Sequence, residues 1–398
     1  MTRVEPDSQP TVDVIICAKN EARRIGACIE SLIAQDYPAD LVRIYVADNG
    51  STDSTAEIVR QYPVQLIEER KKGAAAARNS AFRGSTGTLV AFLDAHCIAN
   101  PEWISSMVGE LVDERVGGVQ GCIENTASNP RVLEFLVGRG MTDNDGVLED
   151  TVYGSHNIYP WILSGNCMYR RSVISKAGGF DETLPACEDV DLAWKVVLAG
   201  YLLAGCERAT VVHWNDDDWA TFAKKSWRQG RGSAVLAKRY LPHGARNAFE
   251  PAMIWGNGKD RSLIALRYWA GYRYETARIS AGRSTASMQS PPSIERETRR
   301  AFSWTGSENL SISTDVVYWF RGDSTSAVVH HPTRSRIVLD GTANFIWRRI
   351  ASGSSRDSVT VDLANEYMID KHEAEADLDE FVDELLKIGL LHFSHAVS

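Results

Sequence analysis

Residues 88–93 read TLVAFL, and Asp94, Ala95 and His96 follow them directly. The apolar run is short and uninterrupted, which predicts a buried β-strand. In an open α/β sheet, ligands bind at the carboxyl ends of the strands. An acidic residue and a second ligand two positions later therefore predict a divalent-metal site at the end of this strand. The Asp-x-His tripeptide occurs by chance in many chains, so its interpretation depends on the rest of the N-terminal half.

The N-terminal half alternates predicted strands with predicted helices. Apolar runs predict four strands, at residues 12–17, 41–47, 64–67 and 88–93. Helical periodicity and capping residues predict a helix over residues 22–35, a second helix capped by Thr52 or Asp53, and an Ala-rich helix over residues 73–83. This alternation predicts an α/β fold with a mostly parallel, doubly wound sheet.

After Pro101 the alternation of predicted strands and helices becomes less regular. Residues 125–160 are polar and Gly-rich with few periodic runs, which predicts a long loop with some helix. Further along the chain, the sequence predicts a turn at residues 178–181 and helices at 189–199 and 216–240. Residues 280–300 are small, polar and Pro-containing, which makes them the strongest linker candidate.

The chain has 398 residues, enough for two or three domains. Its apolar content of 44% and charged content of 24% are typical of a soluble globular protein. No apolar stretch is long enough to span a bilayer, and the N-terminus lacks the apolar core of a signal peptide. The seven cysteines include no Cys-x-x-Cys pair, which favours reduced thiols. We therefore expect a cytoplasmic protein with no membrane span and no nucleic-acid partner.

The net charge of −9 is unevenly distributed. Residues 231–300 contain 13 basic and 5 acidic side chains, a net charge of +8. Residues 301–398 contain 8 basic and 15 acidic side chains, a net charge of −7. This asymmetry indicates separate modules whose charges attract one another, and a solvated helix surface in each module explains it equally well.

Five motifs occur in order along residues 10–235: VDVIICAKNE from Val12, ADNGSTD from Ala47, DAH from Asp94, GGFD from Gly178 and EDVDL from Glu188. Together they resemble the nucleotide-sugar domain of the family 2 inverting glycosyltransferases, which have the GT-A fold. Each motif alone is a weak signal, and the specificity comes from their number and their order. The resemblance implies a Rossmann-like, mostly parallel sheet that binds a nucleotide-sugar.

Several residues of these motifs are implied to bind the donor. Asp48 would accept a hydrogen bond from the uracil or another base, and a helix N-cap is the alternative role. Glu21 is implied for the nucleoside, with a helix-start carboxylate as the alternative. Arg78 is a candidate contact to the ribose or a phosphate, with a surface salt bridge as the alternative. Ala18 and Ala95 belong to the same donor-binding motifs.

Asp94 and His96 are the implied metal ligands, beside oxygen atoms of the donor phosphates. Many family members carry Asp at the third position, whereas His96 resembles the Asp-x-His variant of the polypeptide N-acetylgalactosaminyltransferases. Imidazole is a softer ligand than carboxylate, so we expect Mn²⁺ first and Mg²⁺ second. His213 follows an apolar run and completes the predicted set. The alternatives are a hydrogen-bonded core histidine at 213, and coordination by Asp94 without His96.

An inverting transfer needs one general base to take the proton of the acceptor. Glu188 and Asp189 resemble the acidic pair before the last helix of the catalytic domain, and we assign the base to Asp189. Alternatively, the acidic residues here only stabilise the N-terminus of a helix. Arg228 and Arg231 are candidates to close over the diphosphate, and they serve equally well as surface charges.

The character of the chain changes from Ser311 on. Three short strands are predicted at residues 316–320, 327–331 and 336–339, with turns at 322–323 and 332–333. Three helices follow, at residues 341–351, after a cap at Asp357 or Ser358, and at 371–388. Residues 310–393 resemble the PqqD-like peptide-recognition module of ribosomal peptide biosynthesis, most clearly at 339–347 and 381–391. Such modules add a leader peptide to a sheet edge, and the acidic third helix favours a basic leader.

The sequence thus predicts a GT-A domain over residues 10–240, a basic helical extension and linker over 241–305, and a leader-binding domain over 306–398. The predicted reaction transfers a sugar, from a UDP-sugar first, to a Ser, Thr or Cys side chain of a precursor peptide. One alternative is a small-molecule or lipid acceptor, with the C-terminal domain as a scaffold. Another is a peptide-binding adaptor without catalysis. The sugar, the oligomeric state and the role of the basic segment are not predicted.

Overall fold

The computed structural model describes residues 9–130, 161–215, 219–240, 259–288, 302–305, 308–313, 316–321, 325–330 and 335–395. The chain divides into two compact units, residues 1–292 and 293–398. Most of the predicted loop at 125–160, the end of the predicted linker at 289–300 and the turns predicted at 322–323 and 332–333 lie outside the described residues.

The first unit is built on one sheet. Its strands are β1 (Val12–Ala18), β2 (Val42–Asp48), β3 (Gln65–Glu68), β4 (Leu89–Asp94), β5 (Cys97–Ala99), β6 (Val116–Thr126), β7 (Asn166–Arg170) and β8 (Leu202–Trp214). They lie in the order β8-β6-β7-β4-β1-β2-β3, with β5 paired to β8. Neighbours are parallel except that β7 is antiparallel to β4 and β6, and β5 to β8. The predicted α/β class with a mostly parallel sheet is confirmed.

The helices of the first unit lie between and after these strands. They are α1 (Ile25–Ile33), α2 (Thr55–Val59), α3 (Ala74–Gly84), α4 (Trp103–Glu110), α5 (Arg171–Ala177), α6 (Glu188–Leu198), α7 (Trp219–Arg239) and α8 (Lys259–Ser280), with a 3₁₀ turn at Ala39–Leu41. The core of the sheet is formed by β1 and β4, whose side chains from Val14 to Ile16 and from Val90 to Leu93 are buried. Such central parallel strands are apolar on both faces, and this is why their runs are uninterrupted in the sequence.

Helices α7 and α8 approach one another through glycines. A Cβ atom at Gly230 would overlap the carbonyl oxygen of Tyr268, and one at Gly271 would overlap the carbonyl oxygen of Trp227. Only glycine allows two helix backbones to come this close. The register of α7 against α8 is therefore fixed by two backbone contacts.

The chain after α8 remains attached to the first unit. The Ser284 hydroxyl donates to Glu275 Oε1 at 2.7 Å, and the Ser287 amide donates to Thr183 Oγ1 at 3.1 Å. This part of the predicted linker, residues 281–288, is thus hydrogen-bonded structure rather than a free connection.

The second unit contains strands β9 (Phe302–Thr305), β10 (Glu308–Ile312), β11 (Val316–Arg321), β12 (Thr325–His330), β13 (Ser335–Asp340) and β14 (Leu391–His395). Its helices are α9 (Gly341–Ala351), α10 (Arg356–Tyr367) and α11 (Lys371–Lys387). The predicted strands form the antiparallel series β11-β12-β13, and β14-β10-β9 form a separate sheet that the sequence did not predict. The cap of α10 is Ser355, whose side chain accepts from Ser358 N, so the predicted caps at Asp357 and Ser358 are wrong.

Among the residues with described structure, no helix combines the length and apolar character needed to cross a membrane. The cytoplasmic location stays a prediction.

Candidate active site

Three strands end side by side at the predicted edge of the sheet. Ala18 of β1 pairs with Asp48 of β2, and Cys17 of β1 pairs with Asp94 of β4. Because these strands are parallel, their carboxyl ends meet at the same edge. The structure therefore brings the predicted donor residues Ala18 and Asp48 next to the predicted metal ligand Asp94.

Asp48 fixes the turn that follows β2. Its side chain is buried, and its carboxylate accepts from the amide of Ser51 at 3.1 Å and from the Ser51 hydroxyl. Helix α2 begins later, at Thr55, so Asp48 is not its N-cap. The neighbouring Asn49 joins this turn to the next one, because its amide donates to the Lys71 carbonyl at 2.7 Å. The turn is thus held rigidly at the edge of the sheet.

Asp94, His96 and His213 form a compact cluster. One ligand atom from each lies within 4.8 Å of the others. The Nε2 atoms of the two histidines are 2.9 Å apart. The cluster forms because β5 follows His96 directly and pairs with the end of β8, where Cys97 lies opposite His213. The structure therefore brings together the three residues that the sequence predicted as metal ligands, and their role as ligands stays a prediction.

The outer nitrogen of each imidazole is held by another side chain. His96 Nδ1 lies 3.1 Å from Glu21 Oε1, and His213 Nδ1 lies 3.0 Å from Asn125 Oδ1. An ionised carboxylate only accepts, so His96 carries its proton on Nδ1 and presents a lone pair at Nε2. His213 Nδ1 also lies 2.9 Å from the amide nitrogen of Asn215, and His213 Nε2 faces Nε2 of His96. Two imidazole nitrogens and one carboxylate oxygen then converge, and these residues fit a divalent transition ion.

The charges of the cluster are interdependent. Burial disfavours the charged carboxylate of Asp94, but Arg78 and the two histidines outweigh it and hold its pKa below the usual range. Burial also disfavours a charged His96, but the hydrogen bond that His96 donates to Glu21 and the charge of Asp94 raise its pKa above the usual value. In the absence of a bound cation, the acidic groups therefore favour a proton on His96.

Arg78 lies between the predicted metal ligand Asp94 and the acidic pair Glu188 and Asp189, which contains the predicted general base. It is buried on α3, with NH2 3.3 Å from Asp94 Oδ1 and NH1 2.9 Å from Glu188 Oε1. Its guanidinium also lies 5.5 Å from the ring centre of Phe180. Arg78 does form salt bridges, as in the alternative interpretation, but they lie inside the site and not on the surface. Contact with the ribose or a phosphate stays a prediction.

Glu188 and Asp189 begin α6, directly after Cys187, which has a left-handed φ of 66°. Asp189 Oδ2 accepts from the amide and hydroxyl of Ser164 at 3.3 and 3.4 Å, and Oδ1 accepts from the amide of Val190 at 2.9 Å. Burial and the neighbouring charge of Glu188 raise the pKa of Asp189 to about 6. A carboxylate that titrates near neutral pH is suited to accept a proton.

The two arginines of α7 differ in their surroundings. Arg231 pairs with the buried Glu275 of α8 at 2.7 Å and lies 5.6 Å from the ring centre of Tyr274. These contacts join α7 to α8, and the diphosphate contact of Arg231 stays a prediction. Arg228 is exposed, and its predicted diphosphate contact stays a prediction.

Some residues of the site carried no signal in the sequence. Asn125 lies on β6, inside a segment whose glycines and polar residues favoured a loop. Ser164 lies outside every motif. Gly165 leaves room for the side chain of Asp94, because a Cβ atom there would lie 2.9 Å from Asp94 Oδ2. These residues could have been found only by first predicting β6 and β7, and the sequence pattern predicts neither strand.

Residues 13–177 match the family model described as Glycosyl transferase family 2. Glycosyltransferase AglE of Haloferax volcanii is 30% identical over 237 residues, which are 56% of this chain and 73% of that protein. The chain belongs to glycosyl transferase family 2. A solved structure, the mannosyltransferase PcManGT of Pyrobaculum calidifontis in complex with GDP-Man and Mn²⁺, is 23% identical. It has a TM-score of 0.47, over 73% of this chain and 79% of that chain.

The family 2 transferase also carries a second recognised region. Residues 326–391 match the family model described as Coenzyme PQQ synthesis protein D (PqqD). The predicted PqqD-like domain is therefore confirmed. The pre-mycofactocin glycosyltransferase of Mycobacterium tuberculosis is 28% identical over 253 residues, 59% of this chain. The chain spans only half the length of that relative.

Proposed function

We propose that this family 2 transferase is a metal-dependent, inverting enzyme that glycosylates a peptide. The sugar comes from a nucleotide-sugar, with UDP-sugars as the first candidates, and goes to a Ser, Thr or Cys side chain. The observation that carries the proposal is the presence of a transferase site and a PqqD domain in one chain. Each part alone fits several functions, whereas their combination favours a peptide acceptor.

Asp94, His96 and His213 would hold the divalent ion. When bound, the ion would neutralise the charge that develops on the departing diphosphate. The mixed oxygen and nitrogen donors favour Mn²⁺ over Mg²⁺. Glu21 and Asn125 orient the two imidazoles from behind, which fixes the direction of their Nε2 atoms.

Asp48 and the strand ends beside it form the donor half of the site. The buried carboxylate of Asp48 is available to accept a hydrogen bond from the base, and the rigid turn at Ser51 holds it in place. Ala18 and Ala95 leave space for the donor, because neither side chain extends past Cβ. Arg78 supplies positive charge between the donor half of the site and the acidic pair Glu188 and Asp189.

Asp189 would take the proton of the acceptor hydroxyl or thiol as that group attacks the anomeric carbon. Ser164 lies beside its carboxylate, and burial together with the charge of Glu188 raises the pKa of Asp189 into the range where it can act as a base near neutral pH. Attack on the face opposite the diphosphate would invert the anomeric configuration.

The PqqD domain would bind the leader of the precursor peptide, so that the acceptor side chain reaches the site by effective concentration. The relative named pre-mycofactocin glycosyltransferase shares the transferase region, and its acceptor is a guide to the class of substrate to test. The acidic helix α11 supports a basic leader, since exposed acidic side chains outnumber basic ones along it.

The test is to incubate the full-length chain with UDP-sugars, Mn²⁺ and the peptide encoded beside its gene, and to measure the intact mass of the peptide. We expect a mass increase of one sugar, and its loss in the Asp94→Ala variant. A leaderless form of the same peptide at equal concentration should react at least tenfold more slowly. Equal rates for the two peptides would refute leader recognition, and activity that survives in Asp94→Ala would refute the metal site.

A further inference from the structure

Arg239 ends α7 and is 2% exposed. Its guanidinium bonds three different segments. NH1 donates to Asp191 Oδ1 at 2.6 Å, and NH2 donates to Asp181 Oδ2 at 2.7 Å. Nε and NH2 also donate to the carbonyl of Ser287 at 3.1 and 2.5 Å. One buried cation therefore joins α6, the turn at 178–181 and the chain that follows α8.

Asp191 is the point where this network reaches α6. Its side chain is fully buried, Lys195 Nζ lies 2.7 Å from Oδ2, and the hydroxyl of Tyr240 donates to Oδ1 at 2.8 Å. A buried carboxylate is stable only when its partners compensate its charge. The first turn of α6 is thus fixed by side chains from α7 and from the residue after it.

The two other partners of Arg239, Asp181 and Ser287, are joined to each other through Thr183. Asp181 Oδ1 accepts from the amide and hydroxyl of Thr183 at 2.8 and 2.6 Å. The Thr183 hydroxyl in turn accepts from the amide of Ser287 at 3.1 Å. Arg239 therefore lies inside a closed set of hydrogen bonds, which makes its position well determined.

Asp189 lies in the same first turn of α6 as Asp191. It lies two residues before Asp191 in the same helical turn, and the bonds from Ser164 to its side chain are long, at 3.3 and 3.4 Å. The position of its carboxylate is therefore set mainly by the backbone of α6. A displacement of a reacting group by about 1 Å costs on the order of 100-fold in rate.

We propose that Arg239 is a positioning residue for the general base, acting on Asp189 through Asp191 and the first turn of α6. The inference rests on the proposed function, in which Asp189 is that base. Arg239 and Ser287 both lie beyond residues 13–177, the region that matches the family model. The anchor is thus supplied by the C-terminal extension of the transferase unit.

The first test is Arg239→Lys in the full-length chain, with the precursor peptide, a UDP-sugar and Mn²⁺. Lysine keeps the charge but cannot make the bonds to Asp191, Asp181 and Ser287 together. We expect kcat to fall about 10- to 100-fold. The KM for the donor should stay within about threefold, because Asp48 and Asp94 are not part of the network.

The matched control is Arg43→Lys. Arg43 also pairs with a fully buried aspartate, Asp13, at 2.8 Å, but this pair lies near the start of β1 and β2, away from the site. We expect this control to lower the melting temperature without changing kcat. A loss of kcat equal to that of Arg239→Lys would show that general destabilisation explains both, and would overturn the proposal.

A second measurement does not need activity. Hydrogen–deuterium exchange of the peptide covering residues 188–195 should be faster in Arg239→Lys, with exchange in β1 and β4 unchanged. Unchanged exchange in α6 would overturn the inference even if transfer is confirmed. If the wild type transfers no sugar, the proposed function fails, and the role of Arg239 as an anchor of α6 is still decided by exchange.

A double variant separates positioning from charge. Arg239→Met with Asp191→Asn removes the cation and its buried partner together, so we expect it to melt higher than Arg239→Met alone. Its kcat should remain low, because α6 is no longer tied to α7 by this pair. Wild-type kcat in the double variant would overturn the proposal.

Discussion

The Nε2 atoms of His96 and His213 lie 2.9 Å apart although the residues are 117 positions apart in the chain. At that distance, either one nitrogen carries a proton or both face a shared cation. Glu21 holds the Nδ1 side of His96, which turns the ring so that Nε2 points into the cluster. The Nε2 atoms of the two rings therefore face one another inside the cluster.

Removal of the side chain of either Asp94 or His213 should abolish metal binding. We expect Asp94→Ala and His213→Ala to lose at least 100-fold in transfer rate, and to lose Mn²⁺ binding measured by calorimetry, because a ligand is missing in each. His392→Ala, at an exposed histidine of β14, is the control and should bind Mn²⁺ as the wild type does. Retention of Mn²⁺ binding in Asp94→Ala would count against this site.

The rate of transfer should depend on pH through Asp189. Its pKa is raised to about 6, so below that pH it is protonated and cannot accept a proton. We expect kcat to fall about tenfold per pH unit below pH 6 and to level off above it. Ser164→Ala removes a hydroxyl that stabilises the charged form, so the acidic limb should move to higher pH. A limb that does not move would place the titrating group elsewhere.

The same shift predicts a change in stability. The folded-state pKa of Asp189 is raised above 3.8, so its contribution is fully present below pH 3.8 and is lost as pH rises through about 6. Asp189→Asn avoids this loss of stability, because asparagine does not ionise. We expect the variant to match the wild type near pH 4 and to be more stable above pH 6.5, by on the order of 1–3 kcal/mol. Urea unfolding at the two pH values measures the difference, and an equal difference at both would contradict the assignment.

Arg78 offsets the charge of two carboxylates, Asp94 and Glu188. We expect Arg78→Met to lower the free energy of unfolding by about 3 kcal/mol, because two partly buried carboxylates lose their partner. Added Mn²⁺ should raise the melting temperature of this variant more than that of the wild type, since the ion supplies the missing positive charge. An equal increase in both proteins would show that Arg78 and the metal site act independently.

Asp13 tests the opposite end of the sheet. It is fully buried, pairs with Arg43 at 2.8 Å and accepts from the amide of Thr86 at 2.6 Å. We expect Asp13→Ala to cost about 3 kcal/mol in unfolding free energy, because the arginine and the amides lose a charged partner. The kcat of the folded variant should be unchanged at low temperature. A tenfold loss of kcat would show that this end of β1 also positions the site.

The sequence predicted the nucleotide half of the fold well, because β1 and β4 are buried on both faces and leave continuous apolar runs. It did not predict β6 or β7. The glycines of β6 at 117, 118 and 121 are required by close neighbours such as the ring of Tyr169, and in a single sequence they favour a loop. Residues that these strands position, Asn125 above all, could not be assigned for the same reason.

Asp48 and Asp94 were predictable because each lies at the end of a strand that could be read from the sequence. The partners were not. The sequence did not predict that Arg78 lies between two carboxylates that are 94 positions apart in the chain. Arg231 was assigned by its place in an Arg-rich stretch, and its partner Glu275 lies on a helix packed against α7. Such pairings depend on helix packing, which the local pattern does not encode.

The glycine contacts between α7 and α8 have a mechanical consequence. Gly230 and Gly271 each lie against a backbone carbonyl of the opposite helix, so neither helix can slide or rotate along the other without a collision. The two helices must therefore move as one rigid body. Arg239 lies at the C-terminal end of α7 and bonds Asp191, so a shift of the two helices would pull on the helix that carries Asp189.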